Sequence, residues 1–95
     1  MAHCPYEKIA DLESVFEEIR DWPGIKEKSP GVFYVKSTPF LHFHVKDNER
    51  WADVREGKTW GESVPIRPNA NKVERMRFHV EIRRRYEATA KPGQK

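Results

Sequence analysis

Three residues in the middle of the chain could do chemistry together. His42 and His44 stand two apart, and Asp53 follows after a short stretch. Side chains two apart on an extended strand share a face. Between the histidines and the aspartate lies Asp47-Asn48, a pair suited to a two-residue hairpin loop. With that loop, Lys46 faces Glu49, His44 faces Trp51 and His42 faces Asp53. Both imidazoles and the carboxylate then share one side of the hairpin with Trp51 and Arg55. Leu41, Phe43, Val45, Ala52 and Val54 share the other side. A one-residue slip would scatter both sets, so the sorting supports the register.

Two imidazoles and one carboxylate make a ligand set for a divalent transition metal, with His42, His44 and Asp53 as the candidate ligands. The same trio could act as acid and base, with Asp53 orienting His42 and raising its pKa. In that arrangement Arg55 competes for Asp53, and Trp51 restricts water at the border. His-x-His is a short pattern, and no fourth ligand is visible nearby. A half-exposed polar sheet face with a His–Asp hydrogen bond would carry the same residues.

A second cluster is the run Arg83, Arg84 and Arg85. The net charge is +3 over 95 residues, but it is unevenly spread. Residues 1–28 carry −3, residues 29–66 are neutral, and residues 67–95 carry +6. The basic end could attract an anionic partner such as nucleic acid. It could equally be a basic helix packed beside an acidic one, or a solvated face. On a helix, 100° steps spread Arg75, Arg77 and Arg83 to Arg85 around the circumference. That argues against a recognition helix and leaves salt-sensitive phosphate attraction. Trp51 and Trp60, near Arg55 and Lys58, could stack on single-stranded bases or simply cover the rim of a small core.

Other chemistries are poorly supplied. Cys4 is the only cysteine, which excludes an internal disulfide framework and a multi-cysteine zinc site. Its neighbour His3 lies with it in an end expected to fray, so a nucleophilic dyad is not expected. The five glycines are scattered at turns and form no phosphate loop. No stretch approaches the ~18 apolar residues of a membrane span, and no signal peptide opens the chain. A reducing cytoplasm and no membrane partner are the expectation.

The elements that must position these residues follow from periodicity. Hydrophobic residues are 37%, charged residues 35%, and the mean hydropathy is −0.90, which allows one small core in one domain. Ile9, Leu12, Phe16 and Ile19 predict an amphipathic helix over Tyr6 to Asp21, stopped by Trp22-Pro23-Gly24. Ile25 to Lys28 reads as a connector or short strand, and Ser29-Pro30-Gly31 as a turn. Strands are predicted over Val32 to Ser37, Phe40 to Lys46, Arg50 to Arg55 and, at an edge, Trp60 to Ile66. Thr38-Pro39 is expected to turn the first into the second. Met76, Phe78, Val80 and Ile82 alternate as in a strand. Yet Asn71 to Glu74 resembles a capping box, and Phe78, Ile82 and Tyr86 are four apart, which predicts a helix over Val73 to Tyr86. Residues 1–5 and 91–95 are expected to be loose ends.

The predicted architecture is an α+β two-layer sandwich. An antiparallel sheet of three to five strands carries an N-terminal and a C-terminal helix on one face. The predicted core is Ile9, Leu12, Phe16, Ile19, Leu41, Phe43, Val45, Ala52, Val54 and Val64.

Two resemblances bear on this reading. Phe40-Leu41-His42-Phe43-His44 followed by Trp51-Ala52-Asp53-Val54-Arg55 resembles the luciferase-associated domain family of unknown function found in bacteria. That group shows a His-x-His strand, a strand ending near an Asp and a terminal helix with a Tyr, here Tyr86. The opening helix followed by Trp22-Pro23-Gly24-Ile25 is similar to the MmcQ/YjbR family of small α+β domains with a frataxin-like layout. Members of that family are often labelled DNA-binding; its later portion has no counterpart here. Both resemblances imply an α+β sandwich, and neither supplies catalytic residues. The expected function is a small binding or interaction module, with the open sheet face available to a ligand or to a second copy in a homodimer. A divalent-metal or hydrolytic site at His42, His44 and Asp53 is the alternative. Non-specific nucleic-acid binding through Trp51, Arg55, Arg83, Arg84 and Arg85 is a further one.

Overall fold

The computed structural model describes residues 4–90. Two short 3-10 turns, Tyr6–Lys8 and Ala10–Leu12, lead into helix α1, Glu13–Arg20. Six strands follow: β1 Ile25–Ser29, β2 Val32–Val35, β3 Thr38–Lys46, β4 Glu49–Glu56, β5 Thr59–Trp60 and β6 Val64–Pro65. Helix α2, Lys72–Ala90, closes the described chain. All pairings are antiparallel. β1 to β4 form a meander, and the two-residue strands β5 and β6 both pair with the far edge of β4. The expected α+β class is therefore present, with a sheet of six strands, two of them minimal. The expected loose ends at 1–3 and 91–95 lie outside the described residues.

The first helix departs from expectation at its start. It is α-helical only from Glu13. The Lys8 carbonyl, which a continuous helix would offer to Leu12, instead accepts Arg50 Nη1 at 2.8 Å. The Leu12 N–H bonds Ile9 at 2.9 Å, which tightens the turn. Cys4 is also not loose: it is half-buried and packs against the core. Burial pushes its thiol pKa up, away from a reactive thiolate.

The β1–β2 turn places Gly31 at φ +79°, and a Cβ there would run into Ile9. The expected turn at Thr38-Pro39 lies two residues earlier, at Lys36-Ser37, where Lys36 takes φ +58°. Pro39 sits inside β3, beside an irregularity: Tyr34 pairs with Pro39 and Phe33 with Leu41, so Phe40 is the extra residue. A proline lacks the ladder donor, and a bulge is where that is tolerated. The bulge also turns Phe40 inward, so Phe40 and Leu41 are both fully buried.

The expected single strand from Trp60 to Ile66 is broken into β5 and β6. The cause is Arg85 of α2, a buried guanidinium that takes the carbonyls of Val54 at 3.1 Å and Glu62 at 2.7 Å. Gly61 makes room for it; a Cβ there would lie 2.7 Å from Arg85 Nη1.

Both helices cover one face of the sheet. Phe43 links them, with its ring 5.7 Å from Phe16 and 5.8 Å from Phe78. Of the predicted core, Ile9, Leu12, Phe16, Ile19, Leu41, Phe43, Ala52 and Val54 are buried. Val45 and Val64 are only half-buried. Val45 lies at the hairpin end opposite Arg50, and Val64 on a minimal edge strand. Phe33, Phe40, Trp22, Phe78, Ile82 and Tyr86 are the core's other large members, and Val15, Val35, Ile66 and Ala70 fill in between them. At the start of α2 the capping box is closed: Glu74 N–H donates to Asn71 Oδ1 at 2.8 Å, and Asn71 N–H to Glu74 Oε1 at 2.9 Å.

Candidate metal centre

The hairpin register is the predicted one. Leu41 pairs with Val54, His42 with Asp53, Phe43 with Ala52, His44 with Trp51 and Lys46 with Glu49. Asp47 adopts φ +57° in the loop, a conformation that Asp tolerates better than most residues. Because Phe43 and Ala52 face the helices, His42, His44 and Asp53 must face away from them.

Alternation thus delivers the three polar side chains to one point. A ligand atom from each lies within 4.8 Å of the other two. His44 Nε2 is 2.7 Å from Asp53 Oδ2, and His42 Nε2 is 3.9 Å from the same oxygen. The two imidazoles meet edge to face at 4.9 Å. All three side chains are about one-third exposed, so the group is reachable from solvent.

Three details differ from the sequence reading. The carboxylate holds its diagonal neighbour His44 rather than His42, which sits directly opposite. The pKa of His42 is lowered rather than raised: partial burial favours the neutral ring, and the nearby His44 adds to this against the pull of Asp53. Arg55 does not compete for Asp53. Its Nε donates to the Pro39 carbonyl at 2.6 Å and its Nη1 to Lys58 at 3.0 Å.

Aromatic rings border the trio on two sides. Trp51 stacks on His44 at 5.5 Å, and Trp60 meets His42 edge-on at 5.0 Å. Trp60 also lies under the Arg55 guanidinium at 4.8 Å. The sequence places Trp51 here but leaves Trp60 as a stacking platform or a cover for the core's rim, not as a neighbour of His42. The Arg55–Trp60 pairing depends on the turn at Gly57, φ +74°.

The arginine run does not share one surface. Arg83 lies over the rings of Trp22 and Tyr86 and bonds Glu87. Arg84 bridges Glu81 and Glu56. Arg85 is buried and bonds Glu81 at 2.7 Å. His79 stacks on Trp22.

Searches of family models, curated proteins and solved structures return no match to this chain. No helix among the described residues is long and apolar enough to cross a membrane.

Proposed function

We propose that this protein is a small binding module that takes a divalent transition-metal ion on its open sheet face, through His42, His44 and Asp53. The observation that carries the proposal is the convergence of two imidazole nitrogens and a carboxylate oxygen within 4.8 Å. A tetrahedral ion with bonds of about 2.0–2.1 Å wants its ligands roughly 3.3 Å apart. The 2.7 Å His44–Asp53 contact must open, and the 3.9 Å His42–Asp53 separation close, by about 0.6 Å each to reach that spacing, and the two imidazole nitrogens, within 4.8 Å of each other, must draw together as well. His42 favours its neutral form, so it can ligate near neutral pH without first releasing a proton. Three protein ligands leave a position for water or an external donor, which is how such an ion would recruit a further ligand. Binding is favoured over hydrolysis because the trio stands on a sheet face and not within an enclosing cleft.

The test is calorimetric titration with zinc of the wild type, His44→Ala and Asp53→Asn. Wild type should bind one ion, His44→Ala should lose at least about tenfold in affinity, and affinity should fall as pH drops through the histidine range. Equal affinities in all three proteins would end the proposal.

One observation supports a second reading. Trp60 is 42% exposed beside Arg55 on this same face, an aromatic and a cation suited to a single-stranded nucleic acid. Titration of labelled single- and double-stranded oligonucleotides with wild type and Trp60→Ala decides it. Retained binding in the variant, or none at low salt, sinks that reading.

A further inference from the structure

Helix α2 carries apolar residues on two opposite sides. Phe78, Ile82 and Tyr86 are buried in the core, whereas Val73, Met76 and Val80 are 54%, 57% and 68% exposed. The exposed three step by three and four residues, so they form one stripe facing away from the sheet. Grooves flank this ridge. One of about 330 Å³ separates it from α1 and is lined by Val15, Glu18, Lys72, Met76 and His79 among others. Another of about 310 Å³ runs beside β6 and includes Pro65, Arg77 and Phe78.

The charges along the stripe are sorted. In heptad terms Val73, Met76 and Val80 are seam positions, Lys72 and His79 flank one side, and Arg77 and Arg84 flank the other. Lys72 and Arg77 are exposed, and neither makes a direct ion pair among the described residues. Arg84 is shared between Glu81 and Glu56. The nearby acids are Glu18 across one groove, Glu74 in the other, where it pairs with Arg67, Glu81, which holds Arg84, and Glu87 at the end of the stripe, where it pairs with Arg83.

We infer that this stripe is a docking surface for an amphipathic helix of another protein that carries acidic residues on both sides of its apolar seam. Charge complementarity selects that occupant over a second copy. A parallel self-pairing would set Lys72 against Arg77 and His79 against Arg84. An antiparallel one would set Lys72 against His79 and Arg77 against Arg84. Both place bases against bases, which disfavours the homotypic partner. An acidic partner meets a base at each flank. A lipid surface is disfavoured because the stripe lacks the Trp, Phe or Leu that insertion uses. The surface lies on the opposite side of the molecule from His42, so it stands independently of the metal proposal.

The test uses two synthetic helical peptides of about three heptads, leucine at both seam positions, with either Glu or Lys at both flanks. Their binding is followed by fluorescence anisotropy. The Glu peptide should bind, and more weakly as salt rises. Val80→Glu should reduce its affinity at least about tenfold with an unchanged thermal midpoint, since the side chain is exposed. Arg77→Glu should weaken the Glu peptide and favour the Lys peptide. Equal binding of both peptides, no binding of the Glu peptide at low salt, or an unaffected Val80→Glu variant would overturn the inference. So would a concentration-dependent dimer that Val80→Glu abolishes, or phosphatidylserine-vesicle binding in place of peptide binding.

Discussion

Arg50 stands on β4 opposite Val45, at a position where alternation calls for an apolar side chain, and its side chain is 1% exposed. A guanidinium can be buried only if its donors are used. Here Nε donates to Ile66, Nη1 to Lys8 and Asp11, and Nη2 to Asp11 and Arg67. Burial pushes the Asp11 carboxyl pKa up, but the bond to Arg50, the charge of that guanidinium and backbone N–H bonds from Asp11 and Asn69 together outweigh this and hold it below the ordinary value. Arg50→Met should therefore cost about 2–4 kcal/mol, read by urea unfolding, because it strands several carbonyls and a carboxylate. Nothing local in the sequence pointed to this residue, since Asp11 is distant along the chain and no pattern links them. The convergence of His42, His44 and Asp53 was legible for the opposite reason, because a two-residue loop and simple alternation determine it. A second effect belongs to His42. Its folded pKa is lowered, so on acidification the unfolded chain takes up this proton first. Its contribution is therefore intact above the ordinary imidazole pKa and is lost as pH falls through that value towards the lower folded one. The melting temperature of the apo wild type should drop more between neutral and mildly acidic pH than that of His42→Asn. Identical slopes would remove His42 as the cause.

α2 shows why one segment could read as both strand and helix. Apolar residues on both its sides produce the strand-like alternation of Met76, Phe78, Val80 and Ile82, while Phe78, Ile82 and Tyr86 face the core. The capping box and the four-residue spacing chose correctly between the two. What periodicity could not supply was the effect of α2 on its neighbours: Arg85 reaches across to break the edge strand at Gly61. Glu81 holds that arginine. The bonds from Arg84 and Arg85 outweigh its partial burial and hold its pKa down at about 2. A carboxylate depressed on folding contributes stability above its ordinary pKa and loses it as pH falls towards the folded value. Glu81→Gln should then cost roughly 1.5–3 kcal/mol at neutral pH, and the gap from wild type should narrow as pH falls from about 4.5 towards 2. Chemical denaturation across that range measures it, and a pH-independent gap would contradict the assignment.

At the scale of the whole molecule, 95 residues support a stability of only about 5–14 kcal/mol. Phe43 is the point where the layers meet, touching Phe16 on one helix and Phe78 on the other. Phe43→Ala should cost about 3–5 kcal/mol, a large share of that total, and should lower the urea midpoint sharply. A much smaller loss would mean that the helices hold each other without the sheet. The two-layer plan was readable because two amphipathic segments bracket a meander, and one small sheet needs covering. The strand count was not, because it depends on side chains from another layer. The hairpin that bears His42, His44 and Asp53 also has a consequence for the order of events in folding. These candidate ligands come from adjacent strands joined by a two-residue loop, so they need neither helix in order to meet. Hairpins of this kind close in about 1–10 μs, well before contacts between distant segments are secured. If the proposed metal binding holds, an ion would find its ligands while the rest of the chain is still searching. It would tie down the two central strands first and give the later-arriving helices a finished surface on which to settle.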